Sequence, residues 1–470
     1  MGTISSAFNL IAGALDADQS ALNIVANNVA NANTTGYTRE TPNFEENTPI
    51  EINGVEYGAG VEQTGATSVR DRVLEERLMQ QQQLASSSGS RLTALDAIQT
   101  IFTPDSGSPS SAAGDIGSDI TSFFDSFPSL ESDPTDSALR QQVLSTASTL
   151  AGDLSSAAAS LKSQRASLDQ EAAGVATQVN ALTGAIAKLN QQIQSVSADG
   201  DAGTLEDQRQ QDLSALSKLI GINQVTTEND GLSVTTASGH LLVSGAASFA
   251  MTTGSSGGVT HFFLNGSDVT TDLASCGGQL GGYLTARDQD IPSALSALDQ
   301  LAYSISTAVN TQNNAGTDMA GDNGGAGNIF NAPTAVAGSA LAMSVVMTDP
   351  DHIAAAASGA GTGDDSNAVA LAGLATQTIV SGKTATDFFA QFVSAMGSTV
   401  SQVQTENTAQ EASVTQLQSQ RDALSSVNLN DEAASMQQLE RSYQAASEVF
   451  GILNSIMASA LNLGVQTPVS

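Results

Sequence analysis

The chain contains few of the residues on which several protein classes depend. Its 470 residues include no Trp and only 4% aromatic residues, so the side chains that usually line ligand pockets and fill compact cores are scarce. The one cysteine, Cys276, excludes an intramolecular disulfide. The composition therefore predicts a fold held by packing alone, with small and aliphatic side chains buried along extended seams.

Positive charge is scarce as well. The chain has 15 Lys and Arg against 48 Asp and Glu, which gives a formal net charge of −33. A nucleic-acid partner requires clustered cations that displace the counterions of the phosphates, and an anionic membrane surface attracts the same residues. This balance excludes a nucleic-acid-binding protein and disfavours binding to a membrane surface.

The sequence shows neither the pattern of a secretory signal nor that of a membrane-spanning helix. A secretory signal needs a basic region ahead of an apolar stretch, but no Lys or Arg precedes Arg39. No run of about 18 apolar residues could span a bilayer. We expect a protein that stays in the cytoplasm or leaves the cell by a route without a cleaved signal.

The N-terminal residues predict a helix with one narrow apolar stripe. Apolar residues recur at alternating intervals of four and three, interrupted by Asp18, which is the repeat of a coiled-coil seam. The helix should end within residues 31–37, because Asn and Gly tolerate positive φ and Thr and Asn side chains compete for backbone hydrogen bonds. The stripe consists of Ile4, Phe8, Ile11, Leu15, Leu22, Val25 and Val29.

The C-terminal residues carry the same pattern. Their stripe follows Asn430-Asp431-Glu432, which suits a helix N-terminus by capping and by charge. An isolated helix of this kind exposes its stripe to water, so we expect the two termini to pack on each other, on other subunits, or both. The C-terminal stripe consists of Met436, Leu439, Tyr443, Ala446, Phe450, Leu453 and Met457.

The middle of the chain predicts further helices and a β-rich segment. Residues 137–196 keep the alternation with one slip, no Pro interrupts them, and residues 291–310 form another helix. From 222 to 271 the pattern changes to short strands between Gly-containing turns, at residues 232–235, 241–243 and 261–264. Residues 311–365, rich in Gly, Ala, Asn and Asp, predict long loops around short elements.

No group of residues predicts catalysis or metal binding. Ser256 lies in a match to Gly-x-Ser-x-Gly, the motif of the nucleophile elbow of serine hydrolases. A flexible hairpin loop is the better interpretation, because the flanking sequence favours strands on both sides. The histidines lack metal-ligand spacing, and the acidic loop lacks the alternating ligands of a calcium site. The residues concerned are His240, His261 and His352, and Asp318, Asp322 and Asn323.

The residues after the N-terminal stripe resemble the signature of the bacterial flagellar rod, hook and hook-associated axial proteins. The match covers residues 21–37, and its motif positions are Asn27, Asn28, Asn31, Asn33, Thr34, Gly36 and Tyr37. Residues 205–220 and 277–288 are similar to the hook-associated protein 1 family in particular. A further stretch at 427–434 is similar to it too, with Asn428, Leu429, Glu432 and Ala433.

The resemblance implies a mainly α fold with a β insert, in agreement with the periodicity. Residues 1–36 and 431–470 would form a terminal coiled-coil inner domain. Residues 37–221 and 286–430 would form a mainly helical second domain, with the Gly/Asn-rich loops at 311–365. Residues 222–285 would form an inserted β-rich outer domain.

The resemblance also implies a non-enzymatic structural subunit without a cofactor, at the hook–filament junction of the extracellular flagellum. Its stripes would form the assembly interface. Its partners would be other copies of itself, the flagellar hook protein, hook-associated protein 3, and a cytoplasmic export chaperone at the C-terminal helix. The alternatives are another axial protein, namely the hook protein or hook-associated protein 3, and a secreted coiled-coil adhesin or effector. A serine hydrolase at Ser256 is third.

Overall fold

The computed structural model describes residues 2–34, 36–52, 55–102, 115–196, 202–226, 232–322 and 327–463. Helices dominate these residues. They are α1 (Gly2–Asn31), α2 (Arg72–Phe102), α3 (Ile116–Ser132), α4 (Ser137–Val196), α5 (Gly203–Leu219), α6 (Thr270–Ser275), α7 (Gly278–Thr285), α8 (Ile291–Ala315), α9 (Ser339–Ala342), α10 (Ser366–Gly373), α11 (Ala385–Ser425) and α12 (Leu429–Leu463). A π-helical turn (Ala286–Asp290) joins α7 to α8, and a 3-10 turn occupies Pro350–His352.

The strands form small antiparallel sheets, so the predicted mainly α fold with a β-containing portion is confirmed. The strands are β1 (Glu40–Glu46), β2 (Ile50–Ile52), β3 (Val55–Tyr57), β4 (Val61–Ser68), β5 (Ile222–Thr226), β6 (Leu232–Thr236), β7 (Leu241–Ser244), β8 (Ala247–Ser248), β9 (Met251–Ser256), β10 (Val259–Leu264), β11 (Ser267–Asp268), β12 (Gly316–Thr317) and β13 (Ala356–Ala357). Their sheets are β1–β4, β2–β3, β5–β6–β7–β8, β11–β10–β9 and β12–β13.

The helices predicted from apolar stripes are present. α1 ends at Asn31 and α4 covers the predicted residues 137–196. α8 continues five residues beyond the predicted end at 310, because its polar last turn is held by the following loops. Asn310 there donates to the Phe330 carbonyl at 2.9 Å, and Asn313 donates to the Gly327 carbonyl at 2.9 Å.

The strands between residues 40 and 68 were not anticipated. Residues 37–221 are predicted to form a mainly helical domain, whereas β1–β4 precede α2 there. The register explains why the pattern was missed. The exposed end of β1 consists mostly of polar and charged residues, and the pairing of β1 with β4 contains a bulge between Asn43 and Phe44. The strand therefore shows no simple alternation of apolar and polar residues.

The chain divides into two compact units. The terminal unit comprises residues 1–83, 178–251 and 411–470, and the central unit comprises residues 84–177 and 252–410. One division falls between Met251 and Thr252, inside the segment 222–285 that the sequence predicts as one β-rich domain. The three-domain scheme stays a prediction.

The central unit contains a deep hydrophobic core. Phe123 on α3 lies at its centre, with ring centroids 5.3 Å from Phe127 and 5.5 Å from Phe330. Leu150 and Leu154 on α4 are fully buried in the same cluster. The long stripe of α4 is therefore satisfied within one chain over its central-unit residues.

Candidate assembly site

α1 packs along α12 in the terminal unit, so the structure brings the two predicted stripes together. The rings of Phe8 and Phe450 meet with their centroids 4.4 Å apart. Of the stripe residues, Val25 is buried, whereas Val29 and Tyr443 are exposed. The remaining positions are half-buried, namely Phe8, Ile11, Leu15, Leu22, Met436, Leu439, Ala446, Phe450, Leu453 and Met457. Ile4 lies in α1, and its side chain is outside the described residues.

The hairpin formed by β1 and β4 packs against α1 as well. The contact is close because a glycine of the hairpin lies against Leu10 of α1. A Cβ on Gly60 would meet the Leu10 Cγ atom at 3.3 Å, and Gly60 also needs its positive φ of +90°. On α1, Ala17 and Ala21 are buried. Small side chains thus allow α1 to contact both the hairpin and α12.

A polar cluster at the end of α1 joins the two chain termini. The fully buried Asn28 side chain donates to the Glu40 carbonyl at 2.8 Å and to Glu432 Oε2 at 3.1 Å. Its Oδ1 accepts from the Glu40 amide at 3.0 Å and from the Tyr37 hydroxyl at 2.8 Å. All four hydrogen-bonding positions of the amide are therefore occupied. We call Asn28, Tyr37, Arg39 and Glu432, with the Glu40 backbone, the polar latch.

Glu432 is the carboxylate of the polar latch, and it is 1% exposed. Its Oε1 lies 2.6 Å from Arg39 Nε, and the Arg39 amide donates to the Ser425 carbonyl at 2.9 Å. A buried charge is costly unless it is paired and hydrogen-bonded, and here Arg39 and Asn28 supply both. Asn28, Tyr37 and Glu432 are predicted as separate motif positions, without a contact between them. Their partner Arg39 was not predicted, although it lies two residues after the signature.

Tyr37 acts in the polar latch as a hydrogen-bond donor. Burial raises the pKa of its phenol, and the nearby carboxylates of Glu40, Asp207 and Glu432 raise this pKa further. All of these effects disfavour the phenolate. The hydroxyl therefore keeps its proton and donates it to Asn28 Oδ1.

A second ionic cluster surrounds Arg70 beside the polar latch. Its guanidinium contacts Asp207, Glu206 and Glu75, and Asp207 also accepts the Thr38 amide at 2.9 Å. Burial is the main cause that raises the pKa of Glu75, although the Arg70 charge opposes it. Asp207 belongs to the stretch 205–220, so this stretch contacts the chain at Thr38, one residue beyond the signature 21–37.

The other motif residues shape the ends of the helices. Asn31 accepts from the Thr34 hydroxyl at 3.2 Å and donates to Asn27 Oδ1 at 2.7 Å, and Gly36 has a φ of +82°. Asn428 caps α12 by accepting the Asn430 amide at 3.0 Å. The exposed motif positions are Asn27, Asn33, Thr34, Asn428, Leu429 and Ala433.

The stretch 277–288 holds the central unit together. Gly282 sits where α7 meets α2 so closely that a Cβ would lie 2.3 Å from the Ser87 carbonyl oxygen. Arg287 is 1% exposed, and its Nη1 donates to Asp169 Oδ1 at 2.6 Å and to the Thr260 carbonyl at 2.8 Å. This stretch is therefore explained by packing and by ion pairing within the chain.

α12 carries a second apolar stripe that was not predicted from the sequence. Val449, Ile452 and Ile456 are 42%, 59% and 47% exposed. They repeat at intervals of three and four, one position before the predicted stripe residues Phe450, Leu453 and Met457. Counting a second register in the same segment could have found them.

The structure gives no support to the catalytic and metal-binding alternatives. Ser256 ends β9, and Gly257 and Gly258 turn the chain into β10, whereas a nucleophile elbow requires a helix after the turn. Within the described ranges, no group of three His, Cys, Asp or Glu residues could hold a metal ion. His352 Nδ1 contacts Asp318 Oδ2 at 2.7 Å, and Asn323 is outside the described residues.

Within the ranges that the structure describes, no helix is long and apolar enough to cross a membrane.

Comparisons with known proteins agree with the motifs. Residues 108–330 match the family described as flagellar hook-associated protein FlgK helical domain, and residues 8–38 match the family described as flagella basal body rod protein. Flagellar hook-associated protein 1 of Escherichia coli K12 is 24% identical over 98% of this chain and 100% of its own length. The Bacillus subtilis protein of that name is 25% identical over 96% of both chains.

The fold is similar to that of a solved structure, the flagellar hook junction protein FlgK from Burkholderia pseudomallei. The TM-score is 0.65 at 20% identity, and the match covers 75% of this chain and 100% of the other. At this identity the likeness concerns the fold alone. Together with the relatives, it confirms the resemblance to the hook-associated protein 1 family.

Proposed function

We propose that this chain, which is similar to flagellar hook-associated protein 1 over nearly its whole length, is a structural subunit of the bacterial flagellum at the hook–filament junction. The homologues support this role. The observation that carries it furthest is the pairing of α1 and α12 through the polar latch. Residues near opposite ends of the chain contact each other, and a subunit that assembles through its termini requires such a contact.

The incomplete burial of the paired helices supports assembly with other copies. Most stripe residues are only half-buried, and α12 exposes Val449, Ile452 and Ile456 beside them. Exposed apolar stripes on a helix are costly in water and are stabilised when another surface covers them. In the assembled flagellum, neighbouring copies cover these side chains. Residues 1–36 and 431–470 thus form the inner assembly domain.

The remaining parts of the proposal concern the other domains and the partners. Residues 37–221 and 286–430 form the second domain, and residues 222–285 form an outer domain that does not drive assembly. The subunit is extracellular and has no enzymatic activity or cofactor. Its partners are the hook protein, hook-associated protein 3 and a cytoplasmic export chaperone that binds the C-terminal helix before export.

Deletion of the gene tests the junction role. Cells without the protein should keep their hooks and release unassembled flagellin into the medium. Electron microscopy of the cells and immunoblots of the medium measure both outcomes. Cells that lose their hooks point to the hook protein instead, and cells that keep normal filaments contradict any junction role.

Complementation of the deletion strain tests the assembly interface. The double variant Ile452→Asp/Ile456→Asp should be secreted but should not restore filaments, because charges on the exposed stripe prevent its burial between copies. The matched control is Val346→Asp/Val369→Asp, which changes two exposed apolar residues of the central unit. The control should restore swimming. Equal swimming with both double variants would contradict the interface.

A further inference from the structure

The central unit contains two contacts between a histidine and an aspartate that have the same length but differ in burial. His352 Nδ1 lies 2.7 Å from Asp318 Oδ2, and His261 Nδ1 lies 2.7 Å from Asp268 Oδ2. The side chain of Asp318 is fully buried, whereas that of Asp268 is 44% exposed. A carboxylate that water cannot reach is costly unless other groups stabilise its charge. The first contact should therefore matter more to the fold than the second.

The first contact connects two segments of irregular structure in the central unit. They are residues 316–322, which we call the Asp318 segment, and residues 349–357, which we call the His352 segment. β12 of the first pairs with β13 of the second, and the Met319 amide donates to the Asp351 carbonyl at 3.0 Å. The two segments therefore lie side by side, and the histidine contact lies where they meet.

The Asp318 carboxylate binds both segments at once. Its Oδ1 accepts the Asp322 amide at 2.9 Å and so fixes the turn of its own segment. Its Oδ2 contacts His352 of the other segment. Loss of the charge on His352 would leave the buried carboxylate without the cation that it contacts directly.

His352 is the group near this contact whose charge changes close to neutral pH. The other charged groups around the contact are Asp322, Asp349, Asp351 and Arg140. Arg140 is 1% exposed, and it donates to the Pro134 carbonyl at 2.8 Å. An arginine keeps its charge throughout the neutral range, so Arg140 contributes a constant field.

The directions of the pKa shifts agree with this geometry. The hydrogen bond to Asp318 is the main cause that raises the pKa of His352 above its ordinary value of 6.5. Burial opposes ionisation of Asp318, but its hydrogen bonds, led by that of His352, outweigh burial and lower its pKa below 3.8. The stabilisation from His352 is therefore complete below pH 6.5 and is lost as the pH rises through its raised pKa. That from Asp318 is complete above pH 3.8 and is lost in stronger acid.

We propose that the contact between Asp318 and His352 is a pH-sensitive clasp, which holds the two segments together while His352 is protonated and loosens when His352 releases its proton to water. A neutral imidazole can still donate from Nδ1, so the clasp loosens without breaking. The device is independent of the junction role, because it acts within one chain.

Hydrogen exchange of the purified full-length chain tests the clasp. The reporters are the Met319 amide, which joins the segments, and the Asp322 amide, which binds Asp318. Corrected for the intrinsic pH dependence of exchange, their protection should fall about two- to fivefold between about pH 6 and about pH 8.5, because one partner of the ion pair is partly exposed. Constant protection over this range would overturn the proposal.

Asparagine variants separate the charge of the histidine from its hydrogen bond. His352→Asn keeps an amide donor near the position of Nδ1 but cannot be protonated, so the protection of both reporters should no longer change with pH. The matched control is His261→Asn, which should leave the protection of the Thr270 amide unchanged, because water solvates the exposed Asp268. Reporters that still lose protection with rising pH in His352→Asn would overturn the proposal, since another group would then be responsible.

A titration followed by nuclear magnetic resonance measures the coupling directly. The chain has three histidines, so their imidazole signals can be assigned with the asparagine variants. The pKa of His352 should lie above 6.5 in the native chain and should be lower in Asp318→Asn, whereas the His261 signal should titrate as before. A His352 signal that titrates identically in both chains would show that the buried carboxylate does not hold the proton, and it would overturn the clasp.

Discussion

The terminal helix pair and the core of the central unit are built from the same kind of apolar stripe but bury it to different extents. In the central unit, Phe123, Phe127 and Leu154 are fully buried. On α12, Glu432 is the only buried residue among positions 429–460. One stripe is completed within the chain, whereas the other is only partly covered by its partner helix.

The difference shows that helical periodicity predicts which side chains need burial but not where that burial occurs. The central-unit residues of α4 belong to one buried cluster with residues of α3, α8 and α10. Among the described residues, α12 packs mainly along α1, and the polar latch joins its first turn to the end of α1. A packed core therefore stabilises the central unit, whereas the terminal pair depends on a few directed contacts.

Truncation of the central core should have the largest effect on stability. Phe123→Ala removes a ring that packs on Phe124, Phe127 and Phe330 and leaves a cavity in a fully buried cluster. We expect a loss of about 3 to 5 kcal/mol in the free energy of unfolding, measured by chemical denaturation. The control is Val449→Ala on α12, for which we expect a change below about 0.5 kcal/mol. Similar losses for both variants would break the comparison.

Disruption of the polar latch should be the next largest effect. Asn28→Ala leaves the Tyr37 hydroxyl, the Glu40 amide and Glu432 short of a hydrogen-bond partner. The loss for such buried groups should be about 2 to 3 kcal/mol, and it should appear in the unfolding of the terminal unit. Asn33→Ala changes an exposed motif asparagine and should cost little. A stable Asn28→Ala variant would show that apolar contact alone pairs the helices.

Two glycines sharpen the description of the central unit. Gly282→Ala places a methyl group against the Ser87 carbonyl and the Ser90 hydroxyl, and it should cost about 1 to 3 kcal/mol. Gly152→Ala on α4 meets nothing within 4 Å and should instead stabilise by about 0.5 to 1 kcal/mol. Thermal denaturation measures both shifts. Shifts of the melting temperature in the same direction for both variants would contradict the close contact between α2 and α7.

The smallest expected effect is a pH dependence in the central unit. Burial, followed by the neighbouring carboxyl group of Asp153, raises the pKa of Asp119 from 3.8 to about 7. The folded chain therefore holds a proton that the unfolded chain releases between about pH 4 and 7, so this contribution to stability is lost as the pH rises. Because Asp119 is partly exposed, the loss should stay below about 1 kcal/mol. Asp119→Asn should flatten the unfolding free energy over this range. An unchanged profile would contradict the raised pKa.

Much of the fold could be predicted because long stripes leave a strong signal. α1, α4 and α8 each repeat apolar residues over several turns, and a Pro-free stretch allowed α4 to be read through 60 residues. The strands β6, β7 and β10 were marked by turn residues at their ends, such as Asn265 and Gly266 with positive φ. By contrast, the pairing of β1 with β4 contains a bulge and neither strand alternates apolar and polar residues, and the alternating strands β2 and β3 are only three residues long.

The contacts of the site could be predicted only in part. The signature identified Asn28, Tyr37 and Glu432, but a hydrogen bond between residues 404 positions apart depends on the fold and leaves no local pattern. The opposition of Glu45 and Glu62 depends on the register of β1 and β4, which a one-residue shift would change. The sequence therefore identifies single residues of the site, whereas the partners of these residues can be identified only from the structure.

Hydrogen exchange on the purified monomer and on the assembled protein tests the central claim most directly. In the monomer, amides of residues 436–460 should exchange far faster than those of residues 143–168, because few buried apolar contacts protect α12. In the assembled protein the two segments should become similarly protected. Slow exchange throughout residues 5–30 and 436–460 of the monomer would contradict the account, since the terminal pair would then be complete within one chain.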